Sequence, residues 1–234
     1  MSHNISITHV VRRSVTGEQA AQDIVSHHYL HTMPDPRTQY EIFSINLDDR
    51  RAGWLIFGRP ESTRFWGWYG GLEDVASGRC PVTRWQVLNL ARVFIHPEFQ
   101  HGGLLCNPET VPGFIDRFGV WRPALASAAI QTAVQSIGFS YLLWRPPVFL
   151  DQPYEICWLL SYCDTRFHRG TIYKASGFDL YRTNRAGLQT WRIPMPALTK
   201  NQHCWIKSIS DRDPRASRFR AKRDQLQFNF EAQA

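Results

Sequence analysis

The chain has 234 residues, 43% of them hydrophobic and 13% aromatic, which excludes a disordered protein and is too short for two full catalytic domains. Its 27 Lys and Arg against 20 Asp and Glu give a net charge of +7, which favours an anionic partner. No apolar run has the length of a membrane span, and the N-terminus lacks a secretory-signal pattern. We therefore expect a cytoplasmic protein without a membrane partner.

The cysteines form neither a zinc-binding nor a disulfide pattern. Their number is odd and no two of them stand in a C-x-x-C pair, so we expect reduced thiols rather than a zinc ribbon or a disulfide-linked scaffold, and metal dependence stays open. The five are Cys80, Cys106, Cys157, Cys163 and Cys204.

The first half of the chain predicts one helix and three strands. The helix covers residues 16–26, with Thr16 as its N-cap. Residues 40–47 and 52–57 are predicted strands of a hairpin. Residues 85–95 are rich in branched and aromatic side chains and form the strongest predicted strand.

The second half predicts a second long helix and a further set of strands. The helix covers residues 123–137, and a strand follows at 155–162. A short helix at 170–176 precedes strands at 178–182 and 188–193. Because helices and strands alternate with hairpins, we predict an α/β fold with a mixed sheet flanked by helices.

The order of elements also predicts which strands are neighbours. The helix at 123–137 lies between the strands at 85–95 and 155–162 and supplies a crossover, so these two strands should be adjacent, parallel and splayed at their ends. We expect a single domain with insertions over residues 1–196, followed by a basic extension over 197–234.

The strand at 85–95 runs into a glycine-containing turn. His96-Pro97-Glu98 is followed by Gln100-x-x-Gly103-x-Leu105, and such a turn presents backbone N–H groups to an anion. This segment resembles the acyl-CoA-binding signature of the GNAT acyltransferase superfamily. It departs from that signature at Leu105, where a small residue is usual, and Cys106-Asn107-Pro108 prevents a helix from starting at once.

The resemblance implies a GNAT-like fold over residues 1–196 and acetyl-CoA or a related acyl-CoA as donor. The residues it implies for donor binding are Phe94, Ile95, Gln100, His101, Gly102, Gly103 and Leu105. A plain turn built on two glycines is the alternative.

A second motif carries acid–base chemistry. Ser161-Tyr162-Cys163-Asp164 precedes His168-x-Gly170-Thr171-x-Tyr173, which should place a carboxylate, an imidazole and a phenol around one cleft. Together with His28-Tyr29 and Leu90-Ala91-Arg92, this pattern resembles the Mom family of phage DNA-modification proteins. Mom-like proteins are GNAT-fold enzymes that add a carbamoylmethyl group to the exocyclic amine of adenine in DNA.

This second resemblance implies double-stranded DNA as the partner, within a bacterial host cell, and a target adenine taken out of the base stack. An aryl amine is a poor nucleophile, so a nearby base such as Asp164 or His28 is expected. The implied catalytic residues are His28, Tyr29, Arg92, Ser161, Asp164 and Tyr173.

Other roles for the same residues stay open at this stage. An N-cap or turn role is the alternative for Asp164, and a core position is the alternative for Tyr173. His28 stands beside His27 and His31, so it is either a surface residue or one of a run with possible metal-ligand spacing.

The C-terminal extension is strongly basic, with one acid among six basic residues between Arg212 and Arg223. Guanidinium groups suit phosphate oxygens, although a solvated charged end is the alternative. The predicted DNA contacts are Arg215, Arg218, Arg220, Lys222 and Arg223. The aromatic residues Phe65, Trp66, Trp68 and Tyr69 are suited to hold an extruded base or to form a core strand.

Three functions remain in competition. The first is a DNA base-modifying transferase, the second a general GNAT N-acyltransferase for a small amine or a protein, and the third a non-catalytic GNAT-shaped DNA-binding protein. The sequence leaves open the donor, the product, the DNA sequence preference and the oligomeric state, for which a homodimer is one option.

Overall fold

The computed structural model of the chain describes residues 3–35, 40–60, 69–80, 82–137 and 156–195. Its helices are α1 (Val15–His27), α2 (Leu72–Ala76), α3 (Leu125–Ile137) and α4 (Thr171–Ala175). Its strands are β1 (Ile5–Val10), β2 (Tyr40–Leu47), β3 (Arg50–Gly58), β4 (Tyr69–Gly70), β5 (Val82–Thr83), β6 (Val87–Ile95), β7 (Gly113–Ile115), β8 (Trp121–Pro123), β9 (Trp158–Asp164), β10 (Asp179–Thr183) and β11 (Leu188–Pro194).

Seven strands form one sheet in the order β1-β2-β3-β6-β9-β11-β10. The pairs β1–β2, β2–β3, β3–β6 and β10–β11 are antiparallel. The predicted α/β class with a large sheet is therefore confirmed. The predicted adjacency of β6 and β9 is also confirmed, whereas their parallel direction and splayed ends stay predictions.

Helix α1 packs its apolar face on the sheet. Ala20 and Ile24 are fully buried in a cluster that includes Trp54 and Phe94. The helix is capped by Ser14, whose Oγ accepts the N–H of Gly17 at 3.1 Å. The prediction of Thr16 as the cap is therefore wrong by two residues, since Ser14 has the extended backbone conformation that an N-cap requires.

A buried carboxylate ties α1 to the sheet. Asp23 Oδ2 accepts the indole N–H of Trp54 at 2.7 Å and lies 3.6 Å from Nε2 of His96, while Asp23 Oδ1 accepts the side-chain amide of Gln19 at 2.7 Å. These bonds satisfy a carboxylate that would otherwise be costly to bury.

Three element boundaries differ from the predicted ones for local reasons. Residues 84–86 form a turn of 3₁₀ helix, so β6 begins at Val87. Residues 121–123 pair with 113–115, so α3 begins only at Leu125. The strand predicted at 155–162 is β9, which starts later and ends later, so Asp164 is its last residue rather than the second residue after it.

The chain divides into two compact units. The first comprises residues 1–58, 89–137 and 160–193, and the second comprises 59–88, 138–159 and 194–234. Within the second unit β4 and β5 pair in parallel, and the N–H of Cys157 donates to the carbonyl of Gln86 at 2.8 Å. The predicted boundary at residue 196 stays a prediction, because residues 197–234 lie outside the described residues. In the described ranges, no helix is long and apolar enough to cross a membrane.

Candidate active site

The six predicted catalytic residues come from four separate segments of the first unit. The end of α1 contributes His28 and Tyr29, β6 contributes Arg92, β9 contributes Ser161 and Asp164, and α4 contributes Tyr173. Ring contacts, hydrogen bonds and charge interactions link these residues into one cluster. We call this cluster the candidate site.

His28 ends α1 and is held as a neutral imidazole. Its backbone N–H donates to the carbonyl of Ile24. Its ring nitrogen Nδ1 accepts the backbone N–H of Leu30 at 3.2 Å, so the proton of the neutral ring lies on Nε2. Burial, together with the nearby charge of Arg92, lowers the pKa of His28 to about 4. The ring is a hydrogen-bond donor at neutral pH and a weak base.

Tyr29 lies between the end of α1 and the turn after β9. Its ring is 4.5 Å from that of His28, 5.3 Å from Phe167 and 4.3 Å from His168, measured between centroids. Burial raises the pKa of Tyr29, against the opposing charge of Arg92. The phenol is therefore protonated at neutral pH.

Arg92 supplies the positive charge of the candidate site. Its Nε donates to the carbonyl of Thr32 at 3.1 Å, and its Nη1 donates to the carbonyl of Ala91 at 2.7 Å. These bonds direct the guanidinium toward the segment that follows His28. Its charge acts to lower the pKa values of His28, Tyr29 and Tyr173.

Ser161 and Tyr173 are neighbours in the candidate site. Ser161 is fully buried, and its Oγ donates to the carbonyl of Leu90 on β6 at 2.8 Å. The Ser161 side chain lies beside the phenol of Tyr173 on α4. Enclosure of the hydroxyl raises the pKa of Tyr173 to about 12.

A glycine fixes where Tyr173 lies. Gly170 has φ +69°, and a Cβ there would lie 2.4 Å from the indole of Trp191. The indole in turn packs against Tyr173, with centroids 6.0 Å apart. Only glycine allows both the backbone conformation and this close approach.

Asp164 is a turn residue held by Arg166. The guanidinium of Arg166 contacts both carboxylate oxygens at 2.6–3.1 Å, and the N–H of Arg166 donates to Oδ1 at 3.0 Å. These hydrogen bonds lower the pKa of Asp164 to about 2. The turn role left open by the sequence is thus realised, and the carboxylate is a poor base for an amine.

Two further groups lie in the candidate site that were not among the predicted catalytic residues. His168 packs edge-on against Tyr29 and is exposed on its other side. Burial lowers the pKa of His168 while Asp164 acts to raise it, so the ring is a neutral base at neutral pH. The spacing from Asp164 to Tyr173 was the signal that marked this imidazole. Cys163 is buried, its Sγ lies 3.5 Å from the carbonyl of His168, and burial raises the pKa of its thiol.

The glycine turn after β6 uses its amides internally. The N–H groups of Gln100, Gly103 and Leu105 donate to carbonyls of the same turn at 2.8–3.1 Å. A Cβ on Gly103 would lie 2.2 Å from the carbonyl oxygen of Pro97, and Gly102 has φ +86°, so both glycines are needed for the turn itself. The next described helix starts only at Leu125.

The other residues predicted to bind the acyl donor differ in their exposure to solvent. Phe94 and Ile95 are buried, whereas His101 is exposed. The side-chain amide of Gln100 donates to the carbonyl of Ile95. The amides of Gln100, Gly103 and Leu105 already have carbonyl acceptors and are not free to hold a CoA pyrophosphate. Donor binding at this turn stays a prediction.

Several predictions fall on residues outside the described ranges. They are the DNA contacts at Arg215, Arg218, Arg220, Lys222 and Arg223, and the aromatic residues Phe65, Trp66 and Trp68. Tyr69 is described and is fully buried in β4, as in a core strand.

The histidine run at the end of α1 is not built as a metal site. His27 stacks on Phe94, and His31 Nδ1 lies 3.0 Å from the carbonyl of Val25. Among the described residues, no group of three or more His, Cys, Asp or Glu side chains is placed to hold a metal ion.

No protein-family model matches the chain. No curated protein matches it either.

Proposed function

We propose that this protein is a Mom-like DNA base-modifying transferase with a GNAT-like fold, acting on the exocyclic amine of adenine in double-stranded DNA. One observation carries the proposal. The residues that the motif resemblance selects, from His28 to Tyr173, lie in one cluster although they come from four segments of the chain. Ring contacts and charge interactions join them.

Three displaced pKa values support a reactive site rather than a structural one. Burial lowers the pKa values of His28 and His168 and raises that of Tyr173, and the charge of Arg92 acts on His28 and Tyr173. Perturbed titratable groups with defined charged neighbours are concentrated at functional sites in proteins.

The chemistry of the target amine matches these protonation states. When the amine nitrogen forms a bond to carbon, it loses a proton that a base must accept. His168 is the neutral and solvent-reachable base of the candidate site, whereas Asp164 is held ionised by Arg166. The Nε2–H of His28 and the charge of Arg92 are suited to stabilise negative charge that develops on the electrophile.

The donor is proposed as an acyl-type electrophile, with acetyl-CoA the first compound to test by calorimetry. No step of the chemistry above depends on the turn at residues 100–105, where the amides of Gln100, Gly103 and Leu105 are occupied. That partial occupancy favours an alternative function, a GNAT-shaped DNA-binding protein without catalysis.

The deciding experiment is nucleoside analysis of plasmid DNA from cells that express the chain. The wild type is expected to yield an adenine nucleoside of increased mass, and Tyr173→Phe is expected to lose it. Tyr181→Phe removes a hydroxyl from β10, outside the candidate site, and is the matched control. DNA without any modified nucleoside in the wild-type sample would contradict the proposal and leave the DNA-binding alternative.

A further inference from the structure

The segment between β6 and α3 ends in a small hairpin, formed by β7 and β8, with a rigid tip. Strands β7 and β8 pair antiparallel, with Phe114 opposite Arg122 and Ile115 opposite Trp121. Residues 116–120 form the tip that connects them.

Asp116 organises this tip. Its Oδ1 accepts the N–H groups of Phe118 and Val120 at 2.9 and 3.0 Å, and its Oδ2 is paired with Arg122 Nε at 2.9 Å. Gly119 closes the turn with φ +75°. These hydrogen bonds fix the backbone before any partner binds, so the tip loses little conformational entropy on binding.

The rigid tip holds large apolar side chains out in solvent. Phe118 is 73% exposed, Ile115 63% and Phe114 55%. The guanidinium of Arg117 lies 4.6 Å from the centroid of the Phe118 ring. An exposed ring beside a cation is the combination with which DNA-bending proteins enter a base step, the ring between bases and the cation at a phosphate.

The base of the hairpin is linked to the candidate site through α3. The N–H of Ala124 donates to the carbonyl of Pro112 at the foot of the hairpin. One turn of helix later, the carbonyl of Ser127 lies 3.4 Å from the hydroxyl of Ser176. Ser176 caps α4, and its hydroxyl donates to the carbonyl of Ile172 at 2.7 Å. Helix α4 carries Tyr173, and the tip reaches about 15 Å from the foot of the hairpin at ~3.3 Å per residue.

We propose that the β7–β8 hairpin is a wedge that enters duplex DNA beside the target adenine, with Phe118 filling the space left in the stack and Arg117 binding a phosphate. This inference rests on the proposed function, since a paired adenine amine is reached only when the base is extruded. The positive net charge of the chain and the cation at the tip favour duplex DNA over an apolar protein groove as the occupant.

The test uses the full chain and a duplex oligonucleotide that carries one 2-aminopurine, whose fluorescence rises when it leaves the stack. The wild type is expected to raise the fluorescence on binding. In Phe118→Ala the rise is expected to fall about tenfold or more, because the space in the stack is no longer filled. Phe118→Trp should retain it. Leu180→Ala removes an exposed apolar side chain from β10 and should behave as the wild type.

A wild-type chain that binds the duplex without a rise in fluorescence, or a Phe118→Ala variant with the full rise, would overturn the wedge. Failure of duplex binding in the wild type would overturn it as well. The assay needs no donor, so it is separate from the nucleoside analysis. A Phe118-dependent rise without any modified nucleoside would retain the wedge and reject the proposed chemistry.

Discussion

The imidazole of His168 meets the ring of Tyr29 edge to face, with centroids 4.3 Å apart. This contact joins the end of α1 to the turn after β9. It shields one side of the imidazole, and the other side remains open to solvent. The arrangement suits a base that takes a proton from a substrate and releases it to water.

A His168-dependent acid limb is therefore expected in the pH profile of modification. Because burial lowers the pKa of His168 below its usual 6.5, the ring is neutral near pH 7 and becomes protonated as the pH falls, so activity should decline there. His168→Gln should lower activity about 100-fold or more and remove the limb. Single-turnover rates across the pH range, with donor supplied, measure this. An unchanged acid limb in His168→Gln would assign the base elsewhere.

Tyr173→Phe should abolish base modification while the fold persists. The change removes one hydroxyl but leaves the bond between Ser161 Oγ and the carbonyl of Leu90, so the free energy of unfolding should fall by only about 1 kcal/mol. Circular dichroism and urea titration report the fold, and nucleoside mass spectrometry reports the activity. Modification at the wild-type level would refute a catalytic role for the phenol.

Two substitutions of Asp164 distinguish the effect of its negative charge from its role in the turn. Asp164→Ala removes the acceptor for the N–H of Arg166 and the ion pair together, and should abolish modification without unfolding the chain. Asp164→Asn keeps an acceptor oxygen, so the turn should persist and part of the activity with it. Equal loss in both variants, with the fold intact, would instead point to the negative charge as the essential feature.

His28 should make the folded state sensitive to mild acid. Its pKa falls from 6.5 in the unfolded chain to about 4 in the folded one, so between these values the unfolded state binds more protons. Stability from this group is complete above pH 6.5 and is lost as the pH falls toward 4. At about pH 5 the loss is ~2 kcal/mol. Burial also lowers the pKa of His96, which acts in the same direction.

His28→Asn is the matching variant, because its side-chain oxygen can accept the N–H of Leu30 in place of Nδ1. Urea denaturation at neutral pH and near pH 5 should show a smaller acid-induced loss in this variant than in the wild type. An equal acid-induced loss of stability in the wild type and the variant would show that groups other than His28 cause it.

The basic extension should contribute to DNA affinity through phosphate contacts. Replacement of Arg215, Arg218, Arg220 and Arg223 by Ala should flatten the dependence of log K on log salt by up to ~3–4 units, since each contact on duplex DNA contributes about −0.9. Affinity should fall alike for all sequences. Fluorescence anisotropy over a salt series measures it, and an unchanged slope would mean that the extension is only a solvated end.

Sequence patterns predicted the sheet better than they predicted the roles of individual residues. The period-two pattern and the branched residues located β2, β3 and β6, because half-buried strands impose that pattern. Strand β1 escaped prediction, since as an edge strand it buries little of its surface. The hairpin β7–β8 was also missed, because its side chains are largely exposed and give no burial pattern.

Motif spacing predicted which residues meet but not their chemistry. The charge of Asp164 is committed to Arg166, a neighbour two positions away that no motif marks. The weak basicity of His28 arises from its burial and from Arg92, which lies 64 positions later in the sequence. Such effects depend on three-dimensional surroundings that a linear pattern does not contain.

The carboxylate of Asp23 decides which parts of the candidate site can adapt to a substrate. Its bond to Trp54 fixes α1 on the sheet. His28, the C-cap of α1, follows five residues later, about 7.5 Å along the helix axis. Tilting this helix would break a buried charged hydrogen bond, so the α1 side acts as a fixed wall. Residues 165–169 of the turn after β9 are exposed to solvent, and differences in substrate shape would be accommodated there.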